Sequence, residues 1–253
     1  MLYDAIQAET VLIPSDNGEV VEAYLATPLG PGPFGSVIVV HHAPGYDEAT
    51  KEITRKFAVA GFIALCPNLY SRQSPPGGDP KEIAKEVRST GGVPDAQVVG
   101  DISTAAHYLR SRLAANGSIG VIGYCTGGRQ AVLAACQMKV EAAVDCYGAF
   151  VTRSTPAGDQ LPRTSIAENL GNLSCPLLGL FGAQDPAPSV EEVAELEAVL
   201  KDLGKSYQFY IYENAGHAFF SVDSPKYRTD AALDGWRKVC EWFSQYLANS
   251  PVS

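Results

Sequence analysis

The sequence predicts one α/β domain over residues 1–253: a mostly parallel sheet with helices on both faces, entered through an N-terminal antiparallel hairpin. Apolar runs of strand length alternate with helical patterns from about residue 36 onward, which is typical of parallel strands joined by helices. These runs are apolar at successive positions, as expected for strands buried on both faces. No internal repeat, low-complexity tract or linker divides the chain, so we expect a single domain.

Residue patterns typical of turns and loops separate the predicted elements in the first half of the chain. Two β-rich segments flank Asp16-Asn17-Gly18, a strong hairpin signal. The predicted elements that follow are a strand at 36–40, a helix at 49–60, a strand at 61–70, a Pro- and Gly-rich loop at 71–80, two helical patterns, and a strand at 118–124 preceded by a turn at Asn116-Gly117.

The second half continues the alternation. Its predicted elements are a helix at about 127–137, a strand at 141–150, a long polar loop from about 151 to 173, and strands at 176–182 and 206–214. Ser189 and Glu192 form a capping box before a helix. The apolar residues of that helix recur at helical spacing: Val190, Val193, Leu196, Leu200 and Leu203. The C-terminal helix is predicted to place six side chains on one face: Leu233, Trp236, Val239, Cys240, Phe243 and Leu247.

Composition excludes several classes of function. The net charge is −9 and the basic residues are scattered, which argues against binding to nucleic acid or to an anionic membrane. No apolar stretch reaches transmembrane length, and the N-terminus lacks the basic region of a secretion signal. The six cysteines show no CxxC or CxxH spacing, so we expect no zinc site and a reducing, cytoplasmic location.

The segment Gly123-Tyr124-Cys125-Thr126-Gly127 fits the nucleophile elbow, with cysteine in the usual place of serine. Both glycines are needed because a side chain at either position would clash in so tight a turn. The helix that follows directs its N-terminal N–H groups at the sulfur, which favours the thiolate. The alternative is a dinucleotide-binding glycine loop, but that fingerprint belongs near the start of a βαβ unit rather than in mid-chain.

A nucleophile of this kind needs a base and an acid that orients the base, in the chain order nucleophile, acid, histidine. His217 is the only histidine after Cys125, and it follows the last predicted strand. Asp185 lies shortly after the preceding strand and is our candidate for the acid. Asp145 is the rival, although it falls within an apolar strand pattern rather than after it.

The loop after the first parallel strand, His41-His42-Ala43-Pro44-Gly45, is the expected source of one oxyanion-hole donor. The backbone N–H groups of Ala43 and Thr126 are the candidates, since Pro44 has no N–H. The two histidines are poor candidates for a metal site, because adjacent residues on a strand point to opposite faces.

Four segments together resemble the dienelactone hydrolase family: GYCTGG, FIALCPNLYSR, GAQDP and AGHAF. The resemblance covers most of the chain from about residue 20. It implies an α/β-hydrolase fold and a triad of Cys125, His217 and Asp185. It also implies hydrolysis of a small-molecule ester or lactone through a thioester intermediate, with no cofactor.

The sequence departs from the family pattern at two places. His42 falls near the position of a family glutamate that interacts with the resting cysteine, so His42 is predicted to share a proton with Cys125. Phe219-Phe220-Ser221 stands where the family has an arginine that holds the substrate carboxylate, and Arg88 is a loose candidate for a second arginine. A more apolar or neutral ester is therefore expected. The candidates to line its pocket are Tyr70, Tyr124, Phe219 and Phe220.

Two alternatives stay open at this stage. The same groups could attack an activated phosphoryl or thioester centre. The chain could also be a non-enzymatic ligand-binding or redox-sensing protein on this fold, in which an exposed cysteine is oxidised. The oligomeric state is not predicted, and the 151–173 loop either caps the pocket or is plain surface.

Overall fold

A computed structural model describes residues 2–15, 18–73, 78–159 and 161–248. Their eight strands form one sheet in the order β1-β2-β4-β3-β5-β6-β7-β8. The strands are β1 (Ile6–Pro14), β2 (Val20–Pro28), β3 (Phe34–Val40), β4 (Ile63–Pro67), β5 (Ala115–Tyr124), β6 (Ala142–Cys146), β7 (Leu177–Gly182) and β8 (Tyr207–Tyr212). The hairpin β1–β2 and the pair β2–β4 are antiparallel, and the pairs from β4 to β8 are parallel. The predicted fold class is therefore confirmed, whereas Asp16 and Asn17 of the predicted hairpin turn lie outside the described residues.

Helices cover both faces of this sheet. They are α1 (Glu48–Val59), α2 (Pro80–Ser89), α3 (Asp95–Arg110), α4 (Thr126–Gln137), α5 (Val190–Asp202) and α6 (Thr229–Leu247), with a 3-10 helix at Ala167–Asn172. Side chains of α1 and α6 share one buried cluster, and side chains of α2 to α5 share the other. The sheet thus separates two apolar cores.

Strand β3 shows why its sequence is a continuous apolar run. All seven of its residues are buried. Ile38 and Val40 belong to the core beneath α3 and α4, whereas Val37 and Val39 belong to the core beneath α1 and α6. Successive side chains of a strand point to opposite faces, so a strand covered on both faces favours apolar residues throughout; the buried Ser36 is the one polar residue of β3.

The predicted turn at Asn116-Gly117 is wrong. Both residues lie inside β5, which starts at Ala115. The pairing of β5 with β3 shifts register between Phe34 and Ser36, and Gly117 adopts a φ of +88° at this irregularity. A glycine that relieves a bulge and a glycine that closes a turn give the same sequence signal, because both use the left-handed region.

Two helix faces also differ from expectation. Leu233 is 62% exposed, and Leu203 and Val190 are partly exposed. The buried face of α6 begins instead with Ala231, Ala232 and Gly235. The reason is close packing: a Cβ on Gly235 would lie 2.6 Å from the Phe220 ring.

The segment predicted as a polar loop at 151–173 is anchored rather than loose. It contains the 3-10 helix, and four of its apolar side chains are buried: Val151, Ile166, Leu170 and Leu173. Within the described ranges, no helix combines the length and apolar character needed to cross a bilayer.

Candidate active site

The turn between β5 and α4 raises Cys125 to its crest. Cys125 has a φ of 56°, in the left-handed region that side chains other than glycine rarely adopt. A Cβ on Gly123 would lie 1.8 Å from the Gly127 carbonyl oxygen, and one on Gly127 would lie 2.4 Å from the Val40 carbonyl oxygen. Backbone therefore occupies the space on both sides of the cysteine, which only glycine at these positions permits.

The sulfur of Cys125 faces an imidazole. His217 Nε2 lies 3.0 Å from Cys125 Sγ, and the Thr126 hydroxyl lies 3.9 Å from the same sulfur. Burial acts to raise the pKa of the thiol. The hydrogen bond and charge of His217 outweigh that effect, with help from Thr126, and lower the pKa to about 7. Cys125 is also the N-cap of α4, whose positive end favours the anion further.

His217 is held on its other side by Asp185. Nδ1 lies 2.8 Å from Asp185 Oδ2, and the second carboxylate oxygen of Asp185 accepts from the Ala187 N–H at 2.9 Å. Burial acts to lower the pKa of His217, but the hydrogen bonds to Asp185 and Cys125 raise it to about 10. Each group therefore favours the charged form of the other, a thiolate beside an imidazolium.

The loops after β7 and β8 bring these two residues together. Asp185 follows Gly182 at the end of β7, and His217 follows β8. A Cβ on Gly182 would lie 2.4 Å from the Ala215 carbonyl oxygen, so the two loops touch through backbone. The Gln184 N–H donates to that same oxygen at 2.9 Å.

The rival acid Asp145 lies elsewhere. It is fully buried in β6, and its Oδ1 accepts from the Gly148 N–H at 2.7 Å. Its Oδ2 has no hydrogen-bond partner among the described residues, and burial raises its pKa to about 8. It supports the turn after β6, where Tyr147 and Phe150 have positive φ.

The loop after β3 presents an unused donor. Ala43 and Thr126 line one small space of about 10 Å³, roughly the room for a single oxygen atom. No described residue accepts from the Ala43 N–H, while its carbonyl oxygen accepts from the Tyr70 hydroxyl at 3.0 Å. Within the described residues, the Ala43 N–H is therefore available to a bound substrate.

Cavities open on both sides of Cys125. One, of about 370 Å³, has a largely apolar wall that includes Phe150 and Leu161, together with the cationic side chains Arg163 and Lys226. The other, of about 610 Å³, includes His42 and Tyr147. Leu161 and Arg163 come from the 151–173 segment, so that segment lines the site.

Arg163 and Lys226 were not singled out from the sequence. Arg163 is half-buried, and no described carboxylate forms an ion pair with either side chain. Burial, with the charge of Arg129, lowers the pKa of Arg163. Both residues stand in irregular segments without a motif. The sequence offered one indication of this role: Arg163 is a basic residue in the long segment that follows β6.

Several expected pocket residues lie elsewhere. Phe219 is fully buried, with its ring 5.3 Å from those of Tyr147 and Tyr212. Tyr124 and Phe220 border only a recess of about 30 Å³ on the α1 and α6 side of the sheet. Tyr124 is the last residue of β5, and its side chain is buried in the core beneath α1 and α6, against which Cys125 also packs.

The two departures from the family pattern also differ from expectation. His42 Nε2 lies 2.7 Å from Asp47 Oδ2, and in the part of the chain that the structure describes no hydrogen bond joins His42 to Cys125. Arg88 is exposed on α2, where its Nε donates to the Ala84 carbonyl oxygen, and it borders neither cavity. Tyr70 is buried; its hydroxyl donates to the Ala43 carbonyl oxygen, and it lines the 10 Å³ space together with Ala43 and Thr126.

Metal ligation has no support in the described ranges, which contain no group of three or more His, Cys, Asp or Glu side chains that could hold an ion.

The chain matches the model of one protein family and is similar to several named proteins and solved structures. A model of the dienelactone hydrolase family matches residues 21–247. A protein of Methylorubrum extorquens AM1, provisionally named carboxymethylenebutenolidase, is 36% identical over 247 residues, which cover 94% of this chain and 81% of that protein. A similarly named protein of Escherichia coli K12 is 34% identical over 249 residues, covering 96% and 89%.

A crystal structure from Klebsiella pneumoniae, provisionally named dienelactone hydrolase, is also similar. It superimposes with a TM-score of 0.84 at 32% identity, covering 96% of this chain and all of the other.

Proposed function

The chain belongs to the dienelactone hydrolase family, and on that premise we propose that it hydrolyses carboxylic esters or lactones with Cys125 as nucleophile and without a cofactor. The observation that carries the proposal is the hydrogen-bonded series in which Cys125 Sγ, His217 and Asp185 are joined at 3.0 and 2.8 Å. That series supplies a nucleophile, a proton carrier and an orienting charge at one mouth of the sheet.

The first half of the reaction forms a thioester. The Cys125 thiolate attacks the carbonyl carbon, and the oxygen that gains the charge accepts from the Ala43 and Thr126 N–H groups. As the carbon–oxygen bond to the leaving group breaks, that oxygen takes the proton from His217 Nε2. The imidazole is then neutral, and Asp185 holds its Nδ1–H so that Nε2 faces the site.

The second half returns the enzyme to its starting state. Water gives a proton to His217 Nε2 while its oxygen attacks the thioester carbon. The same two N–H groups stabilise the second tetrahedral intermediate. Its collapse breaks the carbon–sulfur bond, which releases the carboxylic acid and restores the thiolate–imidazolium pair.

We further propose that the substrate carries an anionic group. Arg163 and Lys226 line the 370 Å³ cavity beside Cys125 and form no ion pair within the described residues, although Asp159 lines the same cavity and its charge acts on Arg163. In a protein of net charge −9, two such cations at a nucleophile favour a carboxylate-bearing substrate. The relatives' name denotes a butenolide, an unsaturated lactone, with a carboxymethylene substituent. This proposal replaces the neutral ester expected from the sequence.

Family membership favours the hydrolase over a non-enzymatic sensor. Action on phosphoryl or thioester centres stays a prediction from the sequence. We also propose a cytoplasmic location, a compartment in which the six free thiols would stay reduced.

A panel of lactones and esters, each with and without a free carboxylate, tests the proposal. We expect turnover by the wild-type protein, preference for the carboxylate-bearing members, and loss of turnover in Cys125→Ala and His217→Ala. Full turnover by Cys125→Ala would contradict it.

A further inference from the structure

The inference concerns His41, a histidine outside the triad. His41 follows β3 directly and is only 2% exposed. Its ring stands edge-on to that of Tyr70, with centroids 4.7 Å apart. A buried histidine must satisfy both ring nitrogens, and here both have backbone partners.

Those partners fix the tautomer. His41 Nε2 accepts from the Leu69 N–H at 3.2 Å, so it carries a lone pair. Nδ1 lies 2.9 Å from the His42 carbonyl oxygen, which can only accept, so Nδ1 carries the proton. Burial lowers the pKa of His41 to about 4, which keeps the ring neutral near pH 7.

The carbonyl that His41 holds belongs to the same peptide unit as the Ala43 N–H. That unit is planar and trans, so its C=O and N–H point in opposite directions. The Gly45 N–H donates to the same carbonyl oxygen at 2.9 Å. Because two donors hold the oxygen of His42, the direction of the Ala43 N–H is also held.

We propose that His41 is a positioning residue: by donating from Nδ1 to the His42 carbonyl oxygen, it aims the Ala43 N–H at the oxyanion. This role rests on the proposed function, since it requires a substrate oxygen at Ala43 and Thr126. Both ring nitrogens of His41 are bonded to backbone groups, so in this proposal His41 acts on the reacting atoms through Ala43. Its contribution belongs to transition states with a charged oxygen, and not to the reactivity of the sulfur.

A matched pair of variants separates the two hydrogen bonds of His41. In His41→Asn the amide nitrogen stands near the position of Nδ1 and can still donate to the His42 carbonyl oxygen. In His41→Gln the longer side chain carries its amide oxygen near Nε2, so it can accept from Leu69 but leaves the carbonyl without its donor. His107→Gln, at an exposed position of α3, is the control.

Two rates are measured for each variant. The first is kcat for p-nitrophenyl acetate, which needs the oxyanion hole. The second is alkylation of Cys125 by iodoacetamide, which needs only an accessible thiolate. Circular dichroism sets a working temperature at which all variants are folded, and unchanged alkylation shows that the elbow is intact.

We expect His41→Gln to lower kcat by about 10- to 100-fold, with alkylation within about twofold of wild type. His41→Asn should keep kcat within about threefold, and His107→Gln should change neither rate. The inference is overturned if His41→Gln keeps its kcat, if His41→Asn loses as much, or if alkylation falls in parallel. Ester turnover that survives Cys125→Ala would instead remove the proposed function, and this inference with it.

Discussion

Arg129 and Asp95 form a bidentate ion pair in which each guanidinium nitrogen lies 2.8 Å from one carboxylate oxygen. Arg129 is 1% exposed on α4, and Asp95 is the first residue of α3. The same guanidinium donates to the carbonyl oxygens of Phe150, which lines the 370 Å³ cavity, and of Thr164, which follows the cavity residue Arg163. One buried cation therefore ties two helices to the wall of the site.

Replacing that cation should destabilise the fold. We expect Arg129→Met to lower the free energy of unfolding by about 2–3 kcal/mol, because four hydrogen bonds are lost while Asp95 can still reach water. Urea denaturation measures the change. Arg153→Met, which removes an exposed pair with Glu195, is the control and should leave the midpoint in place. Equal midpoints for the two variants would refute the structural role of Arg129.

The pKa of the Cys125 thiol can be measured from the pH dependence of its alkylation. The rate of iodoacetamide alkylation follows the thiolate, so it should rise with a midpoint near pH 7. In His217→Ala the lowering influence of His217 is lost and burial still raises the pKa, so the midpoint should move to pH 9 or above. His42→Gln should leave the profile unchanged, since His42 bonds to Asp47. If His42→Gln altered the pH profile as much as His217→Ala, the result would support the predicted sharing of a proton between His42 and Cys125.

Arg163 should determine whether the protein prefers substrates that carry a carboxylate. We expect Arg163→Gln to lower kcat/KM for a carboxylate-bearing lactone by about 10- to 100-fold, because one charge-assisted hydrogen bond is lost. Turnover of the matching neutral lactone should change little. Arg88→Gln provides the control, since Arg88 is exposed on α2 and borders neither cavity. An equal loss of kcat/KM for both lactones would mean that Arg163 stabilises the loop and does not recognise the charge of the substrate.

Asp145 should make stability depend on pH. Burial raises its folded pKa to about 8, above the ordinary value of 3.8, so the fold favours the protonated acid. The stability from this group is complete below pH 4 and is lost as the pH rises through 8. Relative to wild type, Asp145→Asn should therefore gain up to about 1.4 kcal/mol of unfolding free energy per pH unit between pH 5 and 8.

Urea denaturation at the two pH values measures this difference, with Asp202→Asn at an exposed site of α5 as control. A difference between Asp145→Asn and wild type that is the same at pH 5 and pH 8 would show that Asp145 is charged in the fold.

The parts of the site that the sequence predicted share one property: their signals are local. Gly123 is required by the backbone of Gly127, and Gly127 by the backbone of Val40 in β3, but both glycines belong to one five-residue motif that the sequence displays. Asp185 and His217 were found by chain order, because strand ends in a parallel sheet meet at one edge. The strand alternation was equally readable, since each strand must be apolar on both of its faces.

The misplaced residues depend on distant atoms. The exposure of Leu233 depends on where Phe220 packs against α6. Gly117 relieves a bulge only because β3 lies beside it in a shifted register. Tyr124 is adjacent to Cys125 in sequence, and Phe219 and Phe220 closely follow His217, yet their side chains pack in the core beneath α1 and α6.

The sequence by itself determined the sheet, the glycine-flanked turn at Cys125 and the chain order of its predicted partners, because those features follow from periodicity, turn sterics and chain direction. Only the tertiary structure decided which charges face the substrate cavity and how His41 is bonded. Arg163 comes from an irregular loop whose path is set by buried anchors and by Arg129, and a side chain acquires its neighbours only when such loops are packed.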